Sequence, residues 1–357
     1  MSNFVMPSLG ADMESAVLME WLVKEGDHVT KGQVVAEVET SKGVIEIEVF
    51  EEGIIEKILI KEETECTVGT PLAYIRTADE KPPQETTEEP QRIKASPAAR
   101  RKAKEMGVDI ASLAATGEIN LANVEKLAVQ TPKLATSDGM RQAIAKAMSR
   151  SNAQIPHYYL STSINMTPAL AWLENFNANR TITQRILPAA LLIRAVVKAL
   201  KEVPQLNGFW EDNEHRISES IHPGIAIALR KGGLITPALM NAHEMGLDET
   251  MHALGDLITR TRSTKLRNSE MTQQTITITN LGDLGVESVL GVIYPPQVAL
   301  VGLGRIMDAP WAQEDTLCVR KVMQATLAGD HRATDGRTGG LFLEKLNHIL
   351  QNPQELL

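Results

Sequence analysis

Cysteine is nearly absent from this chain of 357 residues: Cys66 and Cys318 stand far apart, with no C-x-x-C spacing. That disfavours a disulfide framework and a cysteine metal site, and it fits a reducing compartment. Positive charge is also in deficit, with 36 Lys and Arg against 45 Asp and Glu and a net charge of -9. A protein that neutralises phosphates along a duplex needs the opposite balance, so nucleic acid is not an expected partner. Long apolar runs are missing too. The most apolar stretch, near residues 189–197, is broken by Arg194, and the first residues hold neither a basic segment nor an apolar core. No membrane span and no signal peptide are predicted, which points to a cytoplasmic protein.

What is present is ordinary globular composition, 43% hydrophobic and 23% charged, in a chain long enough for two or three domains. The charge is unevenly spread. Residues 1–78 hold 6 basic and 15 acidic residues, which is the whole chain's imbalance. Residues 79–90 contain three prolines and five acids with one lysine and no large apolar residue, so they read as a solvated linker, taken as 79–93. Residues 91–128 reverse the sign, with 7 basic and 4 acidic residues, which suits an acidic partner surface.

The first segment repeats itself. A shift of 37 residues lays Val17–Val38 on Ile54–Ile75, with identities at Lys24/Lys61, Glu25/Glu62, Thr30/Thr67, Gly32/Gly69 and Ala36/Ala73. Short alternating runs such as Val34–Val38 and Ile58–Ile60 predict strands, so the unit reads as a small β-sandwich with pseudo-twofold symmetry. Between the copies, Glu39-Thr40-Ser41-Lys42-Gly43 predicts a hairpin turn with Lys42 at its tip.

Met6-Pro7-Ser8-Leu9-Gly10, Gly26-Asp27-x-Val29-x-Lys31-Gly32, Val38-Glu39-Thr40-Ser41-Lys42 and Gly53-Ile54-Ile55 together resemble the lipoyl domain of 2-oxo acid dehydrogenase complexes. The resemblance implies an all-β barrel-sandwich of the biotinyl/lipoyl type over residues 1–78, with lipoate attached covalently to Lys42. A biotin carrier shares this fold but has Met beside the modified lysine, where this chain has Ser41 and Gly43.

Ser96-Pro97-Ala98-Ala99-Arg100-Arg101-Lys102-Ala103-Lys104-Glu105-Met106-Gly107 carries a helix start and stop in one line: Ser at the N-cap, Pro at the first turn, Gly past the end. A second helical stretch, Leu121–Leu127, follows. The pair, residues 94–128, resembles the small all-α peripheral-subunit-binding domain of the same complexes. The resemblance implies that Arg100, Arg101 and Lys104 bind acidic surfaces of the dehydrogenase/decarboxylase component or of dihydrolipoamide dehydrogenase. Residues 129–137 read as a second linker.

From residue 138 to 357 helical and strand patterns alternate. Met140, Ile144, Ala147 and Met148 have helical spacing, as do Leu187, Leu191, Ala195, Val196 and Leu200. His157–Ile164, Gly224–Leu229, Thr275–Thr279 and Val298–Val301 read as strands. Gly302-Leu303-Gly304 lacks a third glycine and a following helix, so it reads as a strand end and not as a dinucleotide site.

Asp330-His331-Arg332-Ala333-Thr334-Asp335-Gly336 places a histidine before an Asp-Gly turn. In order before it stand Ile155-Pro156-His157, Val203-Pro204-x-Leu206-Asn207, Gly233-Leu234-Ile235-Thr236-Pro237, Thr277-Ile278-Thr279-Asn280-Leu281-Gly282 and Pro295-Pro296-x-Val298-Ala299. This segment resembles the α/β catalytic domain of dihydrolipoamide acyltransferases, a fold shared with chloramphenicol acetyltransferase. The resemblance implies acyl transfer from a dihydrolipoyl thiol to coenzyme A. His331 would be the general base and Thr279 the donor to the oxyanion. Asp335 would fix the histidine loop, by hydrogen bonds or an ion pair with an arginine, while Asn280 and Gly304 would lie near coenzyme A. No metal is implied. The resemblance further implies a homotrimer with active sites between neighbouring subunits, assembled into a larger cubic core. Leu341–Leu350 and Leu356-Leu357 are then the expected apolar assembly surface.

His157-Tyr158-Tyr159-Leu160-Ser161 and the run from Gly291 to Leu300 look most like acetoin-system acyltransferases, which makes acetyl the expected acyl group. The alternatives are the acyltransferase core of a pyruvate or branched-chain complex, or a lipoyl carrier and scaffold without catalysis. The intact His331, Thr279 and Asp335 pattern weighs against the last.

Overall fold

The computed structural model describes residues 2–8, 15–40, 43–76, 136–229, 233–263 and 265–357. The small basic segment and both linkers lie almost wholly outside the described residues. Residues 1–78 and 140–357 form one compact unit.

The N-terminal part is built from eight strands: β1 (Ser2–Val5), β2 (Ser15–Trp21), β3 (His28–Val29), β4 (Val34–Thr40), β5 (Gly43–Glu48), β6 (Gly53–Ile58), β7 (Thr64–Thr67) and β8 (Pro71–Arg76). They form two sheets, one in the order β1-β8-β6-β3 and the other containing β5-β4-β2-β7. Side chains alternate across each strand. Leu18, Val35, Val38, Ile47, Ile55 and Leu72 therefore meet in a closed core between the sheets.

The 37-residue repeat is visible in the hydrogen bonds themselves. Gly26 N–H donates to Ile55 O and Glu63 N–H to Leu18 O, both at 2.7 Å, and each bond maps onto the other under the shift. Gly26, Glu63, Gly32 and Gly69 all have positive φ, so the paired turns keep their shape even where glutamate replaces glycine. Strands β4 and β5 stay in register up to Thr40 opposite Gly43. Ser41 and Lys42, between them in sequence, lie outside the described residues.

The C-terminal part begins with helix α1 (Thr136–Gln154) and strand β9 (His157–Asn165), then α2 (Thr167–Asn177) and α3 (Pro188–Glu202). Short strands β10 (Gly208–Glu211), β11 (Glu214–Ile217), β12 (Pro223–Ile225), β13 (Ile227–Ala228) and β14 (Leu234–Ile235) follow. The rest comprises α4 (Leu247–Arg262), β15 (Leu266–Arg267), α5 (Asn268–Thr272), β16 (Ile276–Asn280), β17 (Ala299–Leu303), β18 (Met307–Gln313), β19 (Thr316–Asp330) and α6 (Gly336–Gln351).

The central sheet runs β12-β16-β17-β19-β18, with β9 also paired to β19. Helix α3 starts at Pro188, whose missing N–H costs nothing in a first turn, and buries nine of its residues, packing against α6 and α4. The strand expected over Gly224–Leu229 is split in two: β12 pairs in parallel with β16, a ladder that Ala226 N–H to Ile278 O completes, while β13 pairs with β14. The expected apolar assembly surface at the C-terminus is mostly turned inward. Leu343, Leu346, Leu350 and Leu356 belong to the core, and only Leu341 and Leu357, 47% and 71% exposed, face outward. Their helical spacing served the fold's own interior.

Candidate active site

Strand β19 ends at Asp330 and hands the chain directly to His331. The turn is pinned on both sides: Asp330 N–H donates to Val298 O (2.8 Å) and His331 N–H to Pro156 O (3.0 Å), while Thr334 N–H returns to Asp330 O (2.9 Å). The Asp330 carboxylate, 0% exposed, accepts from Arg332 N (2.9 Å), Arg332 Nε (3.0 Å) and Arg332 Nη2 (2.6 Å). A buried charge requires such pairing. The same guanidinium lies 4.9 Å from the ring centroid of Trp210, a cation–π contact.

These anchors leave the His331 side chain exposed beside the edge of the Tyr158 ring, with centroids 5.3 Å apart and planes 70° apart. Tyr158 is held by its hydroxyl on Thr334 Oγ1 (2.9 Å), and burial pushes its phenol up from the ordinary value, so the ring stays neutral. Gly329 makes room for that ring: a Cβ there would stand 2.3 Å from a Tyr158 ring carbon. His157 is a fixed neighbour, its Nδ1 bonded to Ile155 O (2.9 Å) and its Nε2 accepting from Ile293 N–H (3.0 Å).

Asp335 caps α6, accepting from Thr338 N (2.9 Å) and Thr338 Oγ1 (3.0 Å). Those bonds hold its carboxyl below the ordinary value, with the charge of His331 adding to the effect. The side-chain hydrogen bonds of Asp335 run forward into α6, to Thr338. The arginine ion pair of this turn goes to Asp330 instead, because Asp330 alone of the two points into the core and needs charge compensation.

Thr279 lies elsewhere on the sheet. It is 9% exposed in β16, opposite Gly302 of β17, which in turn faces Thr326 of β19. His331 is five residues beyond Thr326 in the chain. That places Thr279 roughly 16 Å away along the strands and roughly 10 Å across them. One copy of the chain does not bring the two side chains together. Asn280 uses its Oδ1 to accept from Gly282 N–H (2.9 Å). Gly304 donates its N–H to Gln324 O (3.0 Å), and a Cβ there would lie 1.8 Å from Glu287 O, so close backbone packing demands glycine. Lys42, Arg100, Arg101 and Lys104 lie outside the described residues.

Residues 130–357, more than half of the chain, match the family model for the 2-oxoacid dehydrogenases acyltransferase (catalytic domain). The chain belongs to this family. Residues 2–75 match a biotin/lipoyl model described as biotin-requiring enzyme, and residues 93–119 match the e3 binding domain. The chain is similar over 99% of its length to two curated proteins at 28% identity. One is the dihydrolipoyllysine-residue acetyltransferase component of pyruvate dehydrogenase complex of Rickettsia conorii, of which 99% is covered. The other is the corresponding component of the acetoin cleaving system of Bacillus subtilis, of which 98% is covered. Among solved structures, the probable dihydrolipoamide acetyltransferase of Listeria monocytogenes aligns at a TM-score of 0.57 and 28% identity, over 63% of this chain and 96% of that one.

The acyltransferase thus joins a lipoyl domain, an E3-binding domain and a catalytic domain in one chain. The strands on either side of the lysine in sequence, β4 and β5, are paired up to Thr40 opposite Gly43, which fits a lipoyl domain. Sequence reasoning missed the props of the site, namely Tyr158, Trp210 and the inward turn of Asp330. The glycine at position 329 was the one local signal for the Tyr158 ring, and only the strand pairing Gly329↔Tyr158 gives it meaning.

Proposed function

We propose that this acyltransferase moves an acetyl group between a dihydrolipoyl group on Lys42 and coenzyme A, with His331 as the base. The observation that carries the reading is an exposed imidazole on a turn whose backbone, flanking ion pair and supporting ring are all fixed. Lipoate, when bound, supplies a dithiol that carries the acyl group as a thioester. His331 removes the proton from the coenzyme A thiol, and the thiolate sulfur attacks the thioester carbon. Thr279 of a neighbouring copy donates its hydroxyl to the oxyanion of the tetrahedral intermediate. His331 would then return its proton to the departing dihydrolipoyl sulfur, with acetyl coenzyme A as the other product. Asp335 positions the loop as the α6 cap, and Asn280 and Gly304 shape the backbone where coenzyme A binds.

The distance between His331 and Thr279 within one copy supports sites formed between copies, as in a trimer. Arg100, Arg101 and Lys104 are the proposed contacts for dihydrolipoamide dehydrogenase or the dehydrogenase/decarboxylase component. The acetoin system is the proposed setting, supported by the runs around Tyr158 and Tyr294. The second reading, a pyruvate complex, is favoured by the Rickettsia relative, and both settings deliver acetyl.

The test is acetyl transfer from acetyl coenzyme A to free dihydrolipoamide. His331→Ala should lower kcat by about 10²–10⁴-fold with the assembly state unchanged. A variant that keeps wild-type kcat would sink the assignment. Intact mass and peptide mapping should place a lipoyl increment on Lys42.

A further inference from the structure

Strand β15 of the catalytic domain is too short to belong to any sheet of its own. It pairs in parallel with β5 of the lipoyl domain, Leu266 opposite Ile45 and Arg267 opposite Glu46, and so becomes an added edge strand of that domain's second sheet. We propose that Leu266–Met271 is a docking seat for the β5 edge of the lipoyl domain, and that the carrier must occupy it to deliver its acyl group. The proposal rests on the acyl-transfer reading above and names a contact surface for it.

Three features of the surface are complementary. Glu46 and Arg267 carry opposite charges at paired positions. Glu48 is 5% exposed, an odd place for a carboxylate near the end of an edge strand, and its Oε2 accepts from Ser269 Oγ across the contact at 2.5 Å. Met271 packs against the apolar cores of both domains. The pseudo-twofold counterpart of β5 is β1, and the described residues include no such partner strand on its outer edge. The recognition is therefore specific to the half of the sandwich that bears the lysine hairpin.

The seat is built in advance by the catalytic domain alone. Arg260 holds Glu270 with two bonds of 2.6 Å, and Glu270 Oε2 accepts from Arg267 N–H (2.9 Å), which fixes the turn from β15 into α5. Docking thus orders little that is not already ordered. Strand β5 begins at Gly43, directly after Lys42 in the sequence. Seating β5 consequently holds the strand that follows the lysine in sequence. The patch consists of a two-residue ladder, one carboxylate bond and one methionine. A contact that small is weak between separate molecules, but it suits a tethered carrier that must leave again, since the linker supplies a high effective concentration.

The experiment uses the full lipoylated chain with Arg267→Glu, Glu46→Arg and the double swap. Acyl transfer between the chain's own lipoyl-lysine and coenzyme A should fall about tenfold in each single variant, where like charges face each other, and recover in the double. Transfer to free dihydrolipoamide, which bypasses the carrier domain, should not change. Carrier-dependent rates equal to wild type in both single variants would overturn the seat. If the wild-type chain acylates neither acceptor, the acyl-transfer reading fails instead. Hydrogen exchange reads the seat without catalysis: the amides of residues 45–48 should exchange faster in Arg267→Glu and slow again in the double. Equal exchange in all four proteins would overturn the docking.

Discussion

Asp330 holds a full charge in the interior of the candidate site, and one side chain compensates it. Asp330→Ala leaves the Arg332 guanidinium, 30% exposed, without its partner. The expected loss is about 3 kcal/mol, the low end for a broken buried pair, read from urea unfolding. Acetyl transfer should fall with it, because the turn that presents His331 loses its inner anchor. Sequence reasoning found His331 and both aspartates in the run from Asp330 to Gly336, but the two carboxylates are interchangeable on paper. Which one points inward depends on Asp330 closing β19 beside Val298, a long-range pairing that no local pattern encodes. A second residue sets a pH limit. His222 is buried, its Nδ1 accepts from Asn241 N–H (3.0 Å), and burial lowers its pKa from the ordinary 6.5. His243 close by adds to the lowering and Glu244 opposes it. The folded state therefore binds fewer protons than the unfolded chain below about pH 6.5, and stability rises with pH through that window. The thermal midpoint should be flat above pH 6.5 and fall below it, with a shallower fall in His222→Gln. An equal slope in that variant would remove His222 as the cause.

At the level of elements, α6 shows how one pattern serves two readings. Its apolar residues repeat at helical spacing, which identifies the helix from sequence but not the direction in which its face points. The structure turns that face toward α3 and β9, so Leu346 is fully buried while Leu341 is half exposed. Leu346→Ala should cost about 3 kcal/mol through lost burial and the cavity left behind. Leu341→Ala should stay within about 0.5 kcal/mol in the isolated chain. Calorimetry of the two variants separates an interior helix from an assembly surface: equal effects would mean that the face is shared with another copy. The lipoyl sandwich was more legible, because a 37-residue repeat constrains both halves at once. The split into β12 and β13 was not, since it depends on β12 pairing with the sequence-distant β16 while β13 pairs with β14.

At the level of the whole molecule, the decisive fact is that one central sheet carries Thr279 on β16 and leads into His331 at the end of β19, but holds them apart. Strands are stiff, and the register Thr279↔Gly302↔Thr326 leaves no freedom to close a gap of that size. The proposed site needs a base at the attacking thiol and a donor at the thioester oxygen, a few ångströms apart, so in this reading His331 of one copy works with Thr279 of the next around a closed ring. Complementation tests this directly. His331→Ala and Thr279→Ala chains should each be nearly inactive alone. Co-expressed in equal amounts, they assemble at random, and a site is intact when its histidine comes from the Thr279→Ala chain and its threonine from the His331→Ala chain. Each condition holds in half of the cases, so about one quarter of wild-type activity should return for a ring of identical head-to-tail contacts. A site contained within one chain predicts no recovery, because every chain in the mixture then lacks one of its two groups.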